Sequence, residues 1–137
     1  MAAEPEGHLP TPSREGEAGI TVLDRGPDHL DIACATGDRV LVFDVAAQRV
    51  ARSVAMPASP TGLALGADGK TLLVTCAGPE SQVCVVDLEE GRVASKFPAG
   101  HTAMSPVVSP DGRTLFVCNR FDDDIGVLEA TTGKTLR

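Results

Sequence analysis

The chain has 137 residues, of which 42% are hydrophobic, and because it lacks Trp and Tyr its core must consist mainly of Val, Leu, Ile and Ala. This length suffices for one domain with a sizeable core. A net charge of −7 argues against a phosphate-binding surface, which needs clustered Lys and Arg, and so against nucleic acid as a partner. No run approaches the roughly 20 apolar residues that cross a bilayer. We therefore expect neither nucleic acid as a partner nor a membrane span.

The first eighteen residues have a composition of their own. Residues 1–18 contain four Glu and three Pro and no apolar central region, so they do not form a signal peptide as they stand. We expect a disordered acidic leader, or a stretch translated from a misplaced start. Residues 19–137 are predicted to form the folded part.

One segment recurs every 42–43 residues. Its clearest copies are residues 66–76 and 109–119, and a weaker first copy spans residues 24–34. A period of this size is typical of repeat architectures in which no single unit buries its own apolar surface.

Each copy predicts four short strands separated by turn residues. They are 20–23, 30–34, 40–44 and 49–54 in the first copy; 61–65, 71–76, 83–87 and 92–97 in the second; and 105–109, 114–119, 125–129 and 134–137 in the third. Four antiparallel strands in about 42 residues make one propeller blade. We predict an all-β fold of three blades, at about 19–57, 58–99 and 100–137, in an incomplete ring.

Repeated acidic residues are predicted to shape turns rather than to catalyse. Asp68 and Asp111 each precede a Gly at the hairpin between the first two strands, where Asp bonds its own backbone and Gly supplies positive φ. Asp44, Asp87 and Glu129 end the third strand of each copy, where we expect them to cap turn amides.

The motifs resemble a known family. Residues 73–76 and 116–119, each followed by a loop, a Val-x-Val-x-Asp-like strand and a Gly-Lys/Arg turn, resemble YVTN-type repeats of the YncE-like and cytochrome d1-like β-propellers. The resemblance covers residues 19–137 and is most specific at 109–120. The motif Tyr is Leu73 or Phe116 here, and the motif Asn is Cys34 or Cys76.

The resemblance implies a larger protein. Such propellers usually close with about seven blades, so the remaining blades of the same ring would be partners of these three. Relatives are exported bacterial proteins, some joined to c-type cytochrome or cytochrome-peroxidase-like domains, which implies a periplasmic or extracellular parent. Copies of a three-blade unit could alternatively complete a ring by self-assembly.

Loop residues that do not repeat are the candidates for binding. His101 lies in the connection between blades two and three, and Arg120, Asp122, Asp123 and Asp124 lie in a loop of blade three. In a propeller these two loops emerge on the same face, around the mouth of the central channel. A merely solvated loop is the alternative. The three Asp lack the glycine-spaced plan of a calcium loop, so no metal site is predicted.

The four cysteines fit no zinc or haem motif. Cys34 and Cys118 are predicted to be small buried hydrophobes. Cys76 and Cys84 flank the loop of one hairpin, where a disulfide is sterically possible if their Cα atoms lie within about 7 Å.

The sequence thus predicts a non-catalytic scaffold that binds a partner protein or a small ligand, with no cofactor and no catalytic residue. The alternative is a portion of a propeller enzyme, similar to lactone hydrolases or haem d1 enzymes, whose site would lie over the central channel.

Overall fold

The computed structural model describes residues 20–136, which form eleven strands in three antiparallel sheets. Blade 1 contains β1 (Ile20–Asp24), β2 (His29–Cys34), β3 (Arg39–Asp44) and β4 (Arg49–Ala55); blade 2 contains β5 (Pro60–Leu65), β6 (Thr71–Cys76), β7 (Gln82–Asp87) and β8 (Arg92–Pro98); blade 3 contains β9 (Ala103–Val108), β10 (Thr114–Asn119) and β11 (Asp124–Glu129). The strands follow one another in sequence order within each sheet, so each blade is an up-and-down meander. The predicted leader lies outside the described residues.

The predicted strands are confirmed to within two residues, except for the last one. Residues 134–137 were expected to form a fourth strand of blade 3. Among the residues described, this segment makes only an isolated bridge between Thr135 and Leu128, supported by a bond from the Leu136 N–H to the Val127 carbonyl at 2.7 Å.

The Asp-Gly hairpins form as their residues dictate. The Asp68 carboxylate accepts hydrogen bonds from the backbone N–H groups of Lys70 (2.9 Å) and Thr71 (3.1 Å), and Gly69 has a φ of +70°. Positive φ is the conformation that Gly adopts without steric cost. The backbone bond from Lys70, partly opposed by desolvation, lowers the pKa of Asp68 from its ordinary value of 3.8.

The predicted turn caps are confirmed for the two Asp residues. Asp44 accepts the N–H of Ala47 at 3.0 Å, and Asp87 accepts those of Glu89 and Glu90 at 2.9 Å. Glu129, one methylene longer, instead bonds the hydroxyl of Thr132.

Blade 2 is buried on both faces because the other two blades cover it. Alternate residues of β6 point in opposite directions. Leu72 and Val74 join the core between blades 1 and 2, whereas Leu73 joins the core between blades 2 and 3. Neither blade interface requires residues that are distant in the chain, since consecutive blades are neighbours.

The inner strands of blades 2 and 3 lie very close together. The Thr61 hydroxyl donates to the Ala103 carbonyl at 2.8 Å, and a Cβ atom on Gly62 would lie 2.4 Å from Cδ of Pro106. The register of β9 with β10 shifts beside Pro106, and Ser105 has a φ of +49°. A bulge accommodates a proline that cannot donate to the ladder.

The outer face of blade 3 is apolar, and no residue within 20–136 covers it. Phe116 is 39% exposed, Val107 58% and Ile125 60%, although their counterparts in blade 2, which include Leu73 and Val83, are buried. The prediction that Cys118 is buried is wrong for the same reason: it lies on this face and is exposed. Cys34 is half-buried rather than buried. The three blades therefore form an open arc.

Each blade has two ends, called the hairpin end and the loop end. The hairpin end carries the turns at residues 25–28, 66–70 and 109–113; the loop end carries the loops at 35–38, 77–81 and 120–123 and the connections between blades. Within residues 20–136, no helix combines the length and apolarity needed to cross a bilayer.

Candidate binding site at the loop end of blades 2 and 3

Two loops meet at the loop end and form one surface. The connection at residues 99–102 runs beside the loop at 120–123, and the Arg120 N–H donates to the Thr102 carbonyl at 3.2 Å. The His101 N–H donates to Asp122 Oδ2 at 2.9 Å. A backbone bond and a backbone-to-carboxylate bond thus hold the two segments together.

Asn119 supports this junction from below. Its side chain is buried; Oδ1 accepts the Gly100 N–H at 3.2 Å and Nδ2 donates to Asp124 Oδ1 at 2.9 Å. A Cβ on residue 100 would lie 2.4 Å from Asn119 Cγ, so only Gly permits this approach. The Asn119 side chain therefore bonds both the backbone N–H of Gly100 in the connection and the carboxylate of Asp124 in the loop.

The neighbouring blade also fixes the connection. The buried hydroxyl of Ser81 accepts the Ala103 N–H at 2.9 Å and donates to the Gly78 carbonyl at 2.9 Å. That carbonyl also accepts the Thr102 N–H at 2.8 Å. The backbone beneath His101 is thus anchored to blade 2, while its side chain faces the loop of blade 3.

Three exposed or half-exposed side chains stack on this frame. Phe121 is 63% exposed; the Arg120 guanidinium carbon lies 5.3 Å from the centre of its ring, and the His101 ring meets it edge-on at 5.2 Å. The His101 Nδ1 atom lies 2.9 Å from the Thr102 hydroxyl. A cation over an aromatic face and an edge-to-face pair are both favourable geometries.

The acidic residues of the loop have separate roles. Asp122 and Asp124 accept the hydrogen bonds described above, so they hold the loop in its conformation and also give it negative charge. Asp123 has a φ of +53° at the turn. Two shallow clefts flank the loop, one of 320 Å³ beside Asp122 and Asp124 and one of 340 Å³ beside Arg120 and Asp123. In the described part of the chain, no three His, Cys, Asp or Glu side chains group as metal ligands would.

The structure brings the predicted residues together. His101, Arg120, Asp122 and Asp124 belong to one hydrogen-bonded and stacked cluster, and Asp123 lies on the same turn. Sequence reasoning assigned no role to Phe121, which lies within the candidate loop and forms the centre of the cluster. Its signal was an isolated aromatic residue in a loop of charged neighbours, in a chain with four Phe.

The cysteine pair lies elsewhere, in the core between blades 1 and 2. Cys76 and Cys84 are buried thiols with sulfur atoms 3.8 Å apart. They are diagonal across the strand pair, because Cys76 is opposite Gln82 and Cys84 is opposite Val74. The hydrogen bond to the Cys84 thiol, and then burial, raises the pKa of Cys76 well above its ordinary value.

Comparison with known proteins establishes the fold. No protein-family model matches the chain. Antigen Lp49 of Leptospira interrogans serogroup Icterohaemorrhagiae serovar copenhageni is 29% identical over 110 residues, which cover 71% of this chain and 24% of the antigen. Hydrazine synthase of Kuenenia stuttgartiensis superposes with a TM-score of 0.74 at 24% identity, over 85% of this chain and 34% of that one.

A second solved structure agrees. The β-propeller domain of Cps50 (Swd1) from Myceliophteria thermophila gives a TM-score of 0.68 at 18% identity, over 86% of this chain and 40% of the domain. The described residues, 20–136, therefore form β-propeller blades. It spans about a quarter of the length of the antigen and about two-fifths or less of the two structures.

Proposed function

We propose that the chain is part of a larger β-propeller scaffold whose loop end binds a partner protein or a small ligand. The observation that carries this proposal is the cluster of Arg120, Phe121 and His101. Exposed aromatic and Arg side chains are the residues that most often dominate binding interfaces. Here they are held on a backbone fixed by buried polar groups, so binding would not have to pay for ordering the loops.

The rest of the ring is a second part of the proposal. The residues on the uncovered face of blade 3 are at the same strand positions as the residues with which blade 2 contacts blade 3. A further blade could therefore pack on blade 3 as blade 3 packs on blade 2. The greater lengths of the antigen and of the two structures support this reading. As the YVTN resemblance implies, we propose an exported bacterial parent, with a cytochrome-type domain as one candidate partner.

Substitution at the two ends of one strand tests the binding role. Arg120 follows β10 at the loop end, whereas Arg113 precedes the same strand at the hairpin end. Arg120→Ala and His101→Ala are compared with Arg113→Ala for retention of protein partners by cross-linking and for binding to a panel of small ligands. We expect the first two to lose about tenfold in affinity, as hot-spot residues do, and the third to retain it. Equal binding by all three would contradict the proposal.

The alternative function is a share in an enzyme site over the channel. One structural neighbour, hydrazine synthase, is an enzyme by name. The same variants distinguish the two roles when assayed in the whole parent protein. Loss of turnover at unchanged substrate affinity in His101→Ala would favour the enzyme.

A further inference from the structure

The hairpin end holds two equivalent clefts that differ in charge. The cleft between blades 1 and 2, here called the charged cleft, has a volume of 230 Å³ and is lined by Arg25, His29, Arg52, Lys70 and Glu89 among others. The cleft between blades 2 and 3 has a volume of 330 Å³ and is lined mainly by apolar and small residues, with one acid, Asp68.

Strand register shows that the two clefts are counterparts. Asp31 on β2 lies opposite Val42, as Leu73 on β6 lies opposite Val85. Each cleft also contacts a hairpin of the next blade at a glycine of positive φ. This glycine is Gly69 in the charged cleft and Gly112 in the cleft between blades 2 and 3. The position occupied by Leu73 in the apolar cleft is therefore occupied by Asp31 beside the charged one.

Packing of the blades does not require this charge. Asp31 is 0% exposed and receives two hydrogen bonds from Arg25, from Nε at 2.8 Å and from Nη2 at 3.2 Å. Removing both charges from water is costly, and an apolar pair of similar volume commonly serves as well. Leu73 fills the same position in the adjacent interface, so the ion pair calls for a role beyond holding two blades together.

The ion pair fixes a guanidinium at the wall of the charged cleft. Arg25 donates two of its five N–H groups to Asp31, which leaves three, and its side chain is 19% exposed. Arg52 is also held, because it donates to the Glu89 carbonyl at 2.6 Å and lies against Gly91, where a Cβ would come within 3.2 Å of its Cζ. Lys70 adds an ammonium from the hairpin.

We propose that the charged cleft binds a small phosphate-type oxyanion, either inorganic phosphate or a phosphomonoester. A guanidinium can bind two oxygens of one phosphate group through two parallel N–H groups. Two guanidiniums and one ammonium therefore suit a doubly charged phosphate group. The lining contains three cationic side chains, those of Arg25, Arg52 and Lys70, and one acid, Glu89; Asp31 pairs with Arg25 outside the lining. A cleft of 230 Å³ admits a single phosphate group, and the overall charge of −7 disfavours a polymer of them. This site is separate from the loop-end cluster and does not depend on its role.

Equilibrium dialysis of the full chain against radiolabelled inorganic phosphate, at constant ionic strength, tests the proposal. We expect saturable binding of one phosphate per chain. The variant Arg52→Met/Lys70→Met, which changes two exposed side chains, should bind about tenfold more weakly, since it removes two charge-assisted contacts. The matched control Lys96→Met/Arg113→Met removes two positive charges outside the cleft and should bind as the wild type does.

Two results would overturn the proposal: no saturable binding by the wild type, or equal weakening in the control variant. If the double variant fails to fold, Lys70→Glu provides a second test, because it changes one exposed side chain in a turn. We expect Lys70→Glu to abolish phosphate binding. Competition by phenyl phosphate distinguishes a site for phosphomonoesters from one for free phosphate, and either result supports the oxyanion site.

Discussion

Asp68 shows how one carboxylate shapes a turn and makes stability depend on pH. Its pKa is lowered by the Lys70 backbone bond in the folded state, so it stabilises the fold above its unfolded pKa. That contribution is lost as the pH falls through the folded value, below about pH 4. Because the side chain is largely exposed, solvent keeps the effect small.

We therefore predict that Asp68→Asn is less stable than the wild type at about pH 7 and that the difference narrows at about pH 3. Asn keeps the oxygen acceptor but does not titrate. Urea unfolding followed by far-UV circular dichroism at both pH values measures the change. Glu80→Gln, in an exposed loop, is the control. A difference that is constant with pH would show that the charge of Asp68 plays no part.

The cysteines give a prediction about accessibility. We expect an alkylating reagent to modify exposed Cys118 first, half-buried Cys34 next, and Cys76 and Cys84 after unfolding. Diagonal pairs have Cα atoms about 7–8 Å apart, beyond the usual disulfide range of about 4.4–6.8 Å. Unreduced, unfolded protein should accept four labels by mass spectrometry. Two labels, rising to four after reduction, would instead show one disulfide, such as the one that is sterically possible between Cys76 and Cys84.

At the scale of elements, the contact of β5 with β9 leaves no room for a side chain on Gly62. We predict that Gly62→Ala destabilises the fold by about 1–3 kcal/mol, the usual cost of overpacking. A Cβ there would meet Pro106 and backbone, which cannot move aside cheaply.

Gly78→Ala is the matched control for that substitution. The nearest atom to its added Cβ lies 4.0 Å away, so its free energy of unfolding should change little. Equal free energies of unfolding for the two variants, from urea titrations, would contradict the close packing of the inner strands.

Most of the elements could be read from the sequence because their signals are local. Asp-Gly turns and runs of β-branched residues locate the strands without any knowledge of the neighbouring blades. The exceptions have non-local causes. The bulge at Ser105 and Pro106 depends on pairing with β10, and the exposure of Cys118 depends on whether another blade covers it.

The sequence predicted where the candidate site lies but not how its side chains contact one another. Propeller topology alone brings residues 99–102 next to 120–123. The stacking of Phe121 between Arg120 and His101 depends on loop conformations that Asn119 and Ser81 set through buried hydrogen bonds. The Arg25–Asp31 pair was also missed, because nothing in the spacing of these two residues separates a buried pair from two exposed charges.

At the scale of the whole molecule, the uncovered face of blade 3 predicts self-association of the isolated chain. Contiguous exposed apolar surface of this kind marks an interaction site or an aggregation liability. We expect the wild-type chain to be oligomeric or poorly soluble and Phe116→Glu/Ile125→Lys to shift it toward monomer in sedimentation velocity. The control is Val50→Lys, at an exposed residue of β4, which should leave the distribution unchanged. A compact wild-type monomer would contradict the prediction.

The sequential layout of the blades also has a genetic consequence. Every four-stranded sheet here comes from one uninterrupted stretch of chain, and both blade-to-blade contacts join consecutive blades through equivalent strand positions. In-frame recombination that gained or lost one unit of 42–43 residues would therefore leave each surviving interface with a suitable neighbour. Such a gene can change the number of its blades in single steps, while the loops of each blade diverge independently.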